Sequence, residues 1–166
     1  MSFESSKVAN FFLDKGEEIG SPITMLKLIK ICYVAHGWML ALEDKPLINE
    51  TVEAWQYGPV IPSLYHEFKR FQKSPITGRA KDFHFGSLET VIPQLPEEET
   101  ETKAILEKVW DVYKNTSGNS LISLTHADGT PWKECYKKGT LSTPIPNDLI
   151  KQYYKKVFDK LFADEQ

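Results

Sequence analysis

Residues 25–42 read MLKLIKICYVAHGWMLAL, and no other stretch restricts the fold as much. Leu28, Cys32, Ala35, Met39 and Leu42 recur at spacings of three and four, which defines one face of a helix. Leu26, Ile29, Ile31, Tyr33, Val34 and Trp38 fill the other faces until little polar surface is left. A helix that is apolar nearly all round is stable only when other elements surround it. Residues 24–42 are therefore expected to be the central helix of the domain, capped by Thr24 and ended by Asp44 and Pro46. A chain of 166 residues can bury such a helix within a single domain, 1–166, without staples.

The rest of the chain supplies the surrounding elements. Val8, Phe11 and Phe12 mark a helix over Ser5–Glu18, capped by Ser5 or Ser6 and stopped by Gly20 and Pro22. Residues 50–57 alternate weakly and read as a short strand or an extended connector. Gly58, Pro59 and Pro62 read as a rigid turn. A helix capped by Ser63 follows, with Leu64, Tyr65, Phe68 and Phe71 on one face. Periodicity is lost over residues 72–96. So long a connector is expected to be a functional loop, a small hairpin or a flap, and residues 82–95 alternate enough for a strand pair.

Beyond it, Ile105, Leu106, Val109, Trp110 and Tyr113 stripe a helix that follows a run of glutamates. Residues 120–126 and 131–139 read as two short helices, the second opened by Thr130 and Pro131. A last helix begins at Asn147, its cap, with Leu149, Ile150, Tyr153, Val157, Phe158 and Leu161 repeating at helical spacing. The fold class that follows is mainly α. It is a single compact helical domain of about six or seven helices, with at most a short two- or three-strand element.

Composition removes function classes without choosing one. The net charge is −3, and the cations are 18 Lys against only Arg70 and Arg79. Arginine is the usual bidentate reader of phosphate and guanine, so direct nucleic-acid binding is not expected. No stretch approaches the roughly 20 apolar residues that span a bilayer, and the first residues lack a secretory pattern. A cytoplasmic protein with reduced Cys32 and Cys135 is expected.

Chemistry is thinly marked. Cys32 and His36 are four apart on one helix, but no second ligand pair, HExxH or CxxC accompanies them, so no metal and no cofactor are expected. His66-Glu67 reads as a solvated helix face. His126 and Asp128 flank a turn with no marked nucleophile, and no catalytic residue is assigned. Lys151, Lys155, Lys156 and Lys160, with Lys133, Lys137 and Lys138 before them, read as the wet side of a helix rather than a polyanion site. What remains is the aromatic, proline-rich stretch of Trp55, Tyr57, Gly58, Pro59, Val60, Pro62 and Tyr65. Those residues either anchor a partner or brace a small core.

At this stretch the sequence resembles the Panacea domain family, with its GepA-like and SocA-like antitoxin proteins. The resemblance rests on Leu28-Ile-Lys30-Ile-Cys-Tyr33 leading into Gly37-Trp38, and on Lys45-Pro46-Leu47. It rests above all on Glu53-Ala-Trp55-Gln-Tyr57-Gly58-Pro59-Val60-Ile-Pro62, followed by Thr125-His126 and Pro131-Trp132. It spans residues 22–139, densely over 22–72 and thinly over 121–139. Ile29 stands where the family usually has Gln, and residues 72–96 carry no match.

The resemblance implies a bacterial or phage-borne antitoxin that neutralises a cognate protein toxin, encoded by a neighbouring gene, through direct protein–protein contact. Trp55, Tyr57, Gly58, Pro59, Val60, Pro62 and Tyr65 are then the partner-binding candidates, unless the 72–96 connector makes that contact. Lys30, Tyr33, Trp38, Glu53, His126, Pro131 and Trp132 are the motif residues expected to build the scaffold. A homo-oligomer or a hetero-oligomer with the toxin is compatible with either placement. Two other readings stand beside it. One is a proteolytic adaptor delivering a bound toxin to an ATP-dependent protease, using the tail at residues 164–166 or the Lys-rich last helix. The other is a small enzyme working through His126 and Asp128.

Overall fold

The computed structural model describes residues 1–163. Its centre is α2 (Met25–Glu43), which Thr24 caps by accepting a hydrogen bond from the Lys27 N–H. Asp44, in the left-handed conformation at φ 55°, ends it. Residues 27–40 are all buried, as an all-round apolar helix requires. By length and hydropathy α2 does reach the span of a bilayer, contrary to the expectation from sequence; here that apolar surface is covered by the rest of the domain.

The covering elements are α1 (Ser5–Glu18), α4 (Thr100–Tyr113), α5 (Gly118–His126) and α7 (Asn147–Ala163), with α7 packed most extensively on α2. The α2–α7 contact is close because Gly37 has no side chain. A Cβ there would lie 2.1 Å from the Tyr154 ring. Trp38 then inserts edge-on among Tyr113, Phe158 and Phe162, at ring separations of 5.8–6.2 Å.

Two small antiparallel sheets complete the described fold. One has the order β2-β1-β5, with β1 at Glu53–Trp55, β2 at Gly58–Val60 and β5 at Thr143–Pro144. The other pairs β3 (Asp82–His84) with β4 (Glu89–Val91). Helix α3 (Pro62–Phe68), continued by a 3-10 turn at Lys69–Phe71, and the short α6 (Pro131–Cys135) fill the remaining connections. Mainly helical with short strands is thus the observed class.

Several local expectations change. Residues 58–60 are a strand, not a turn; the chain reverses instead at Gln56-Tyr57, between paired Trp55 and Gly58. Pro59 is tolerated because β2 is an edge strand, where a missing N–H costs no ladder bond. Neither Ser5 nor Ser6 caps α1. The capping position is Glu4, and the Ser5 N–H donates to the Glu50 carboxylate at 3.0 Å. Ser63 does not cap α3 either, since Pro62 opens that helix after Ile61; the Ser63 hydroxyl lies 2.9 Å from that of Ser5. Helix α5 starts earlier than expected, at Gly118 behind a Ser117 cap, and α6 ends at Cys135 rather than Gly139. Asn147 is the first residue of α7, and its side chain engages His36.

The 72–96 connector folds into the β3–β4 ribbon, one of the forms expected of it. Its roots are joined by Asn10 of α1, a fully buried polar residue. The Asn10 amide donates to the carbonyls of Ala80 at 3.1 Å and Pro93 at 2.9 Å, and its oxygen accepts from the Ala80 N–H at 2.8 Å. One side chain therefore closes the loop from which the ribbon projects.

Candidate functional site

The family-like residues converge on the β1–β2 hairpin, held from below by α2 and from the side by α5 and α6. Lys30 comes up from α2, 1% exposed, and donates from Nζ to the Pro59 carbonyl at 2.9 Å. Gly58, at φ +115°, lies directly over it; a Cβ there would be 2.7 Å from Lys30 Nζ and 3.6 Å from the Thr125 hydroxyl. Only glycine meets both demands, a left-handed backbone and room for the ammonium. Burial pushes the Lys30 amine from 10.5 down to about 7, since charge is disfavoured away from water.

The side wall is aromatic. Trp132, buried on α6 behind the helix-opening Pro131, donates its indole N–H to the Trp55 carbonyl at 2.6 Å. His126 stacks on Trp132 at 3.6 Å, and Tyr136 stacks on the same indole at 4.8 Å. His126 Nε2 is 3.4 Å from the Gln56 carbonyl at the hairpin tip. On the other side, Trp55 donates to the Glu53 carboxylate at 2.9 Å and meets Tyr65 of α3 edge-on at 5.0 Å.

Of the expected contact residues, Gly58, Pro59 and Val60 are buried, and Trp55, Pro62 and Tyr65 are half-buried. Tyr57 alone stands out, 67% exposed at the tip. Tyr33 and Trp38 lie deep in α2, away from the hairpin surface. Tyr33 packs edge-on against Tyr154 at 5.9 Å, and burial pushes its phenol up.

The other chemical candidates are occupied or apart. His36 Nδ1 accepts from the Ile48 N–H at 3.2 Å, which leaves the proton on Nε2 for Asn147 Oδ1 at 3.0 Å. Burial lowers its pKa, opposed by the Asn147 bond. Cys32 beside it is buried and its thiol is pushed up. Asp128 is turned to solvent, 3.8 Å from Lys133, while His126 faces Trp132 and Gln56. Among the described residues no group of three or more His, Cys, Asp or Glu is placed to hold a metal. Lys151 pairs with Asp44, and Lys155, Lys156 and Lys160 are exposed along α7. The tail at residues 164–166 lies outside the described residues.

Two residues carry more than sequence reasoning assigned them. Nothing in the sequence marks Asn10 of α1 as the clamp of a distant loop. Lys30 was noted as part of a motif, but not as a buried cation. A signal for it existed: Lys27 and Lys30 are the two lysines of a helix with almost no polar face, where a charge finds little water.

Fold and site together define a small helical domain whose motif residues lock a β-hairpin onto a buried central helix. The family model described as Antitoxin SocA-like, Panacea domain, matches residues 28–133, from Leu28 in α2 to Lys133 in α6. Antitoxin SocA of Caulobacter vibrioides (strain NA1000 / CB15N) is 35% identical over 133 residues, covering 79% of this chain and 69% of that protein. The chain belongs to the SocA-like, Panacea-domain antitoxin family. No solved structure matches it.

Proposed function

We propose that this protein is an antitoxin that neutralises a cognate protein toxin, the product of a neighbouring gene, by direct folded contact. The carrying observation is its identity to a curated antitoxin across most of both chains. The geometry supports contact rather than catalysis. The family-like residues are spent on holding a hairpin rigid, and His126 and Asp128 do not meet. Rigid presentation reduces the entropy lost on binding. Tyr57, with half-buried Trp55, Pro62 and Tyr65 behind it, is the part of the motif that offers side-chain surface to a partner.

The test is co-expression. The neighbouring open reading frame is induced alone and together with this protein, and growth is followed. Growth arrest by the neighbour alone, relieved by this chain, with the two proteins co-eluting on size exclusion, is the expected result. A neighbour that never slows growth, or that still does so beside this chain, refutes the reading.

A further inference from the structure

The β3–β4 ribbon stands away from the body, with every residue from 83 to 92 exposed. Its register pairs Phe83 with Thr90, so these share a face; Phe85 in the turn joins it through its contact with the Phe83 ring, and two-residue alternation from Thr90 adds Ile92. The Phe83 and Phe85 rings meet edge-on at 5.0 Å, yet they remain 50% and 84% exposed. Asp82 and Val91, and His84 and Glu89, form the pairs of the opposite face. Asp82 on that polar face lines a cleft with Glu4, Ser63 and Glu67 at the body. A ribbon with no partner gains by the reverse arrangement, apolar side inward.

A two-stranded hairpin is marginal alone in water. This one is held at its roots by the three Asn10 hydrogen bonds rather than by packing of its apolar face. Phe83, Phe85, Leu88 and Ile92 expose on the order of 500 Å² of apolar surface, at the upper end for a monomer. Two such faces joined across copies of this chain would bury roughly 1,000 Å², short of the ~1,600 Å² of a stable interface. A groove that wraps the arm buries more. The flanking charge is acidic on balance: Asp82 and Glu89 on the arm's opposite face and Glu97 and Glu98 beyond it make no ion pair among the described residues, against one exposed lysine, Lys81, at its base.

We propose that the β3–β4 arm is this protein's principal docking element, inserting its Phe83–Phe85–Ile92 face into an apolar groove rimmed by Lys or Arg on the toxin. The proposal rests on the antitoxin reading, which names that partner. The test uses the full chain and the neighbouring gene product as probe, comparing wild type with Phe83→Ser/Phe85→Ser and with Glu89→Lys. Both variants keep the wild-type circular dichroism and melting temperature, because the altered side chains are exposed. The double variant binds at least 100-fold more weakly and loses growth rescue. Glu89→Lys slows association severalfold at low salt, an effect that added salt removes.

If the double variant binds within threefold of wild type, the arm is not the docking element, though the antitoxin reading stands. An unchanged or faster association by Glu89→Lys overturns the basic rim. If wild type neither binds nor rescues, the antitoxin reading fails and the arm proposal with it. A wild-type dimer that the double substitution converts to monomer assigns the face to a second copy and overturns the proposal.

Discussion

Replacing Lys30 with methionine isolates the energetics of the hairpin clamp. The ammonium sits 1% exposed with the Pro59 carbonyl as its hydrogen-bond acceptor, and burial brings its pKa down from 10.5 to about 7. At about 1.36 kcal/mol per pKa unit, that shift corresponds to roughly 5 kcal/mol of destabilisation while the amine is charged. The unfolded chain keeps this proton up to pH 10.5, whereas the folded chain sheds it near 7. Between those values the unfolded state binds more protons, so stability rises with pH. The penalty is complete below pH 7 and gone above 10.5.

Other groups set the useful window. His36, lowered by burial, acts in the same direction but only below its ordinary 6.5. Cys32, pushed above its ordinary 9.0, acts in the opposite direction once an unfolded thiol ionises. Between pH 7 and 8.5 the Lys30 contribution dominates and amounts to roughly 1.5 kcal/mol. With a urea slope of about 2 kcal/mol per molar, the wild-type midpoint rises by roughly 0.8 M across that window. Lys30→Met removes the ionisation and most of this slope, leaving the smaller same-sign contribution of buried Lys27. It also strands the Pro59 carbonyl, a loss of about 1–3 kcal/mol. The variant is therefore a few kcal/mol more stable than wild type below pH 7. Urea melts followed by tryptophan fluorescence measure both quantities. A flat wild-type midpoint from pH 7 to 8.5, or a variant retaining the full slope, refutes the account.

Four further substitutions test separate contacts. Gly58→Ala forces a methyl to within 2.7 Å of Lys30 Nζ at φ +115°, and is expected to cost about 2–4 kcal/mol in a urea melt. Gly37→Ala drives a Cβ into the Tyr154 ring and is expected to cost more than about 3 kcal/mol; adding Tyr154→Ala recovers part of it, a coupling read by a double-mutant cycle. Asn10→Ala leaves three backbone groups at the roots of the arm without partners. It is expected to cost about 2–3 kcal/mol and to speed proteolytic cleavage within residues 81–92 severalfold. Tyr57→Ala, at an exposed tip, changes stability by no more than about 0.5 kcal/mol in the same melt.

The helical part of this fold was legible because most helices advertise their buried side, although in α7 the buried Tyr154 lies outside the stripe read from sequence and Leu161 within it is exposed. The all-round apolar α2 could only be central, and the stripe from Ile105 to Tyr113 could only pack against it. The strands were less legible. Three residues are too few for a periodic signal, and Gly58-Pro59 has turn composition. What makes it a strand is tertiary: pairing with Glu53–Trp55, the Lys30 bond to Pro59 and the Trp132 bond to Trp55. Asn10 was invisible for a related reason. Its partners lie 70 and 83 residues away, and nothing local separates it from a solvated asparagine. Alternation in the arm was visible, but which face the arm would turn to water depends on how its roots are clipped.

The motif and the arm also differ in what a substitution there can reveal. Lys30, Gly58, Pro59, Trp55 and Trp132 bond to or press on one another, so changing one disturbs the hairpin before any partner arrives. A lost interaction after such a change reports stability and contact together. Phe83, Phe85 and Glu89 are exposed, and apart from the Phe83–Phe85 contact they support nothing beneath them, so a change in binding there is a change in contact. The same division has a physical advantage. The buried Lys30 bond to Pro59 and the left-handed Gly58 hold the hairpin in one arrangement, while the arm, rooted through Asn10, Arg79 and Lys81, can vary its face without repacking α2. On the docking proposal, partner choice changes by substitution at positions 83 to 92 alone, at little expense in fold stability.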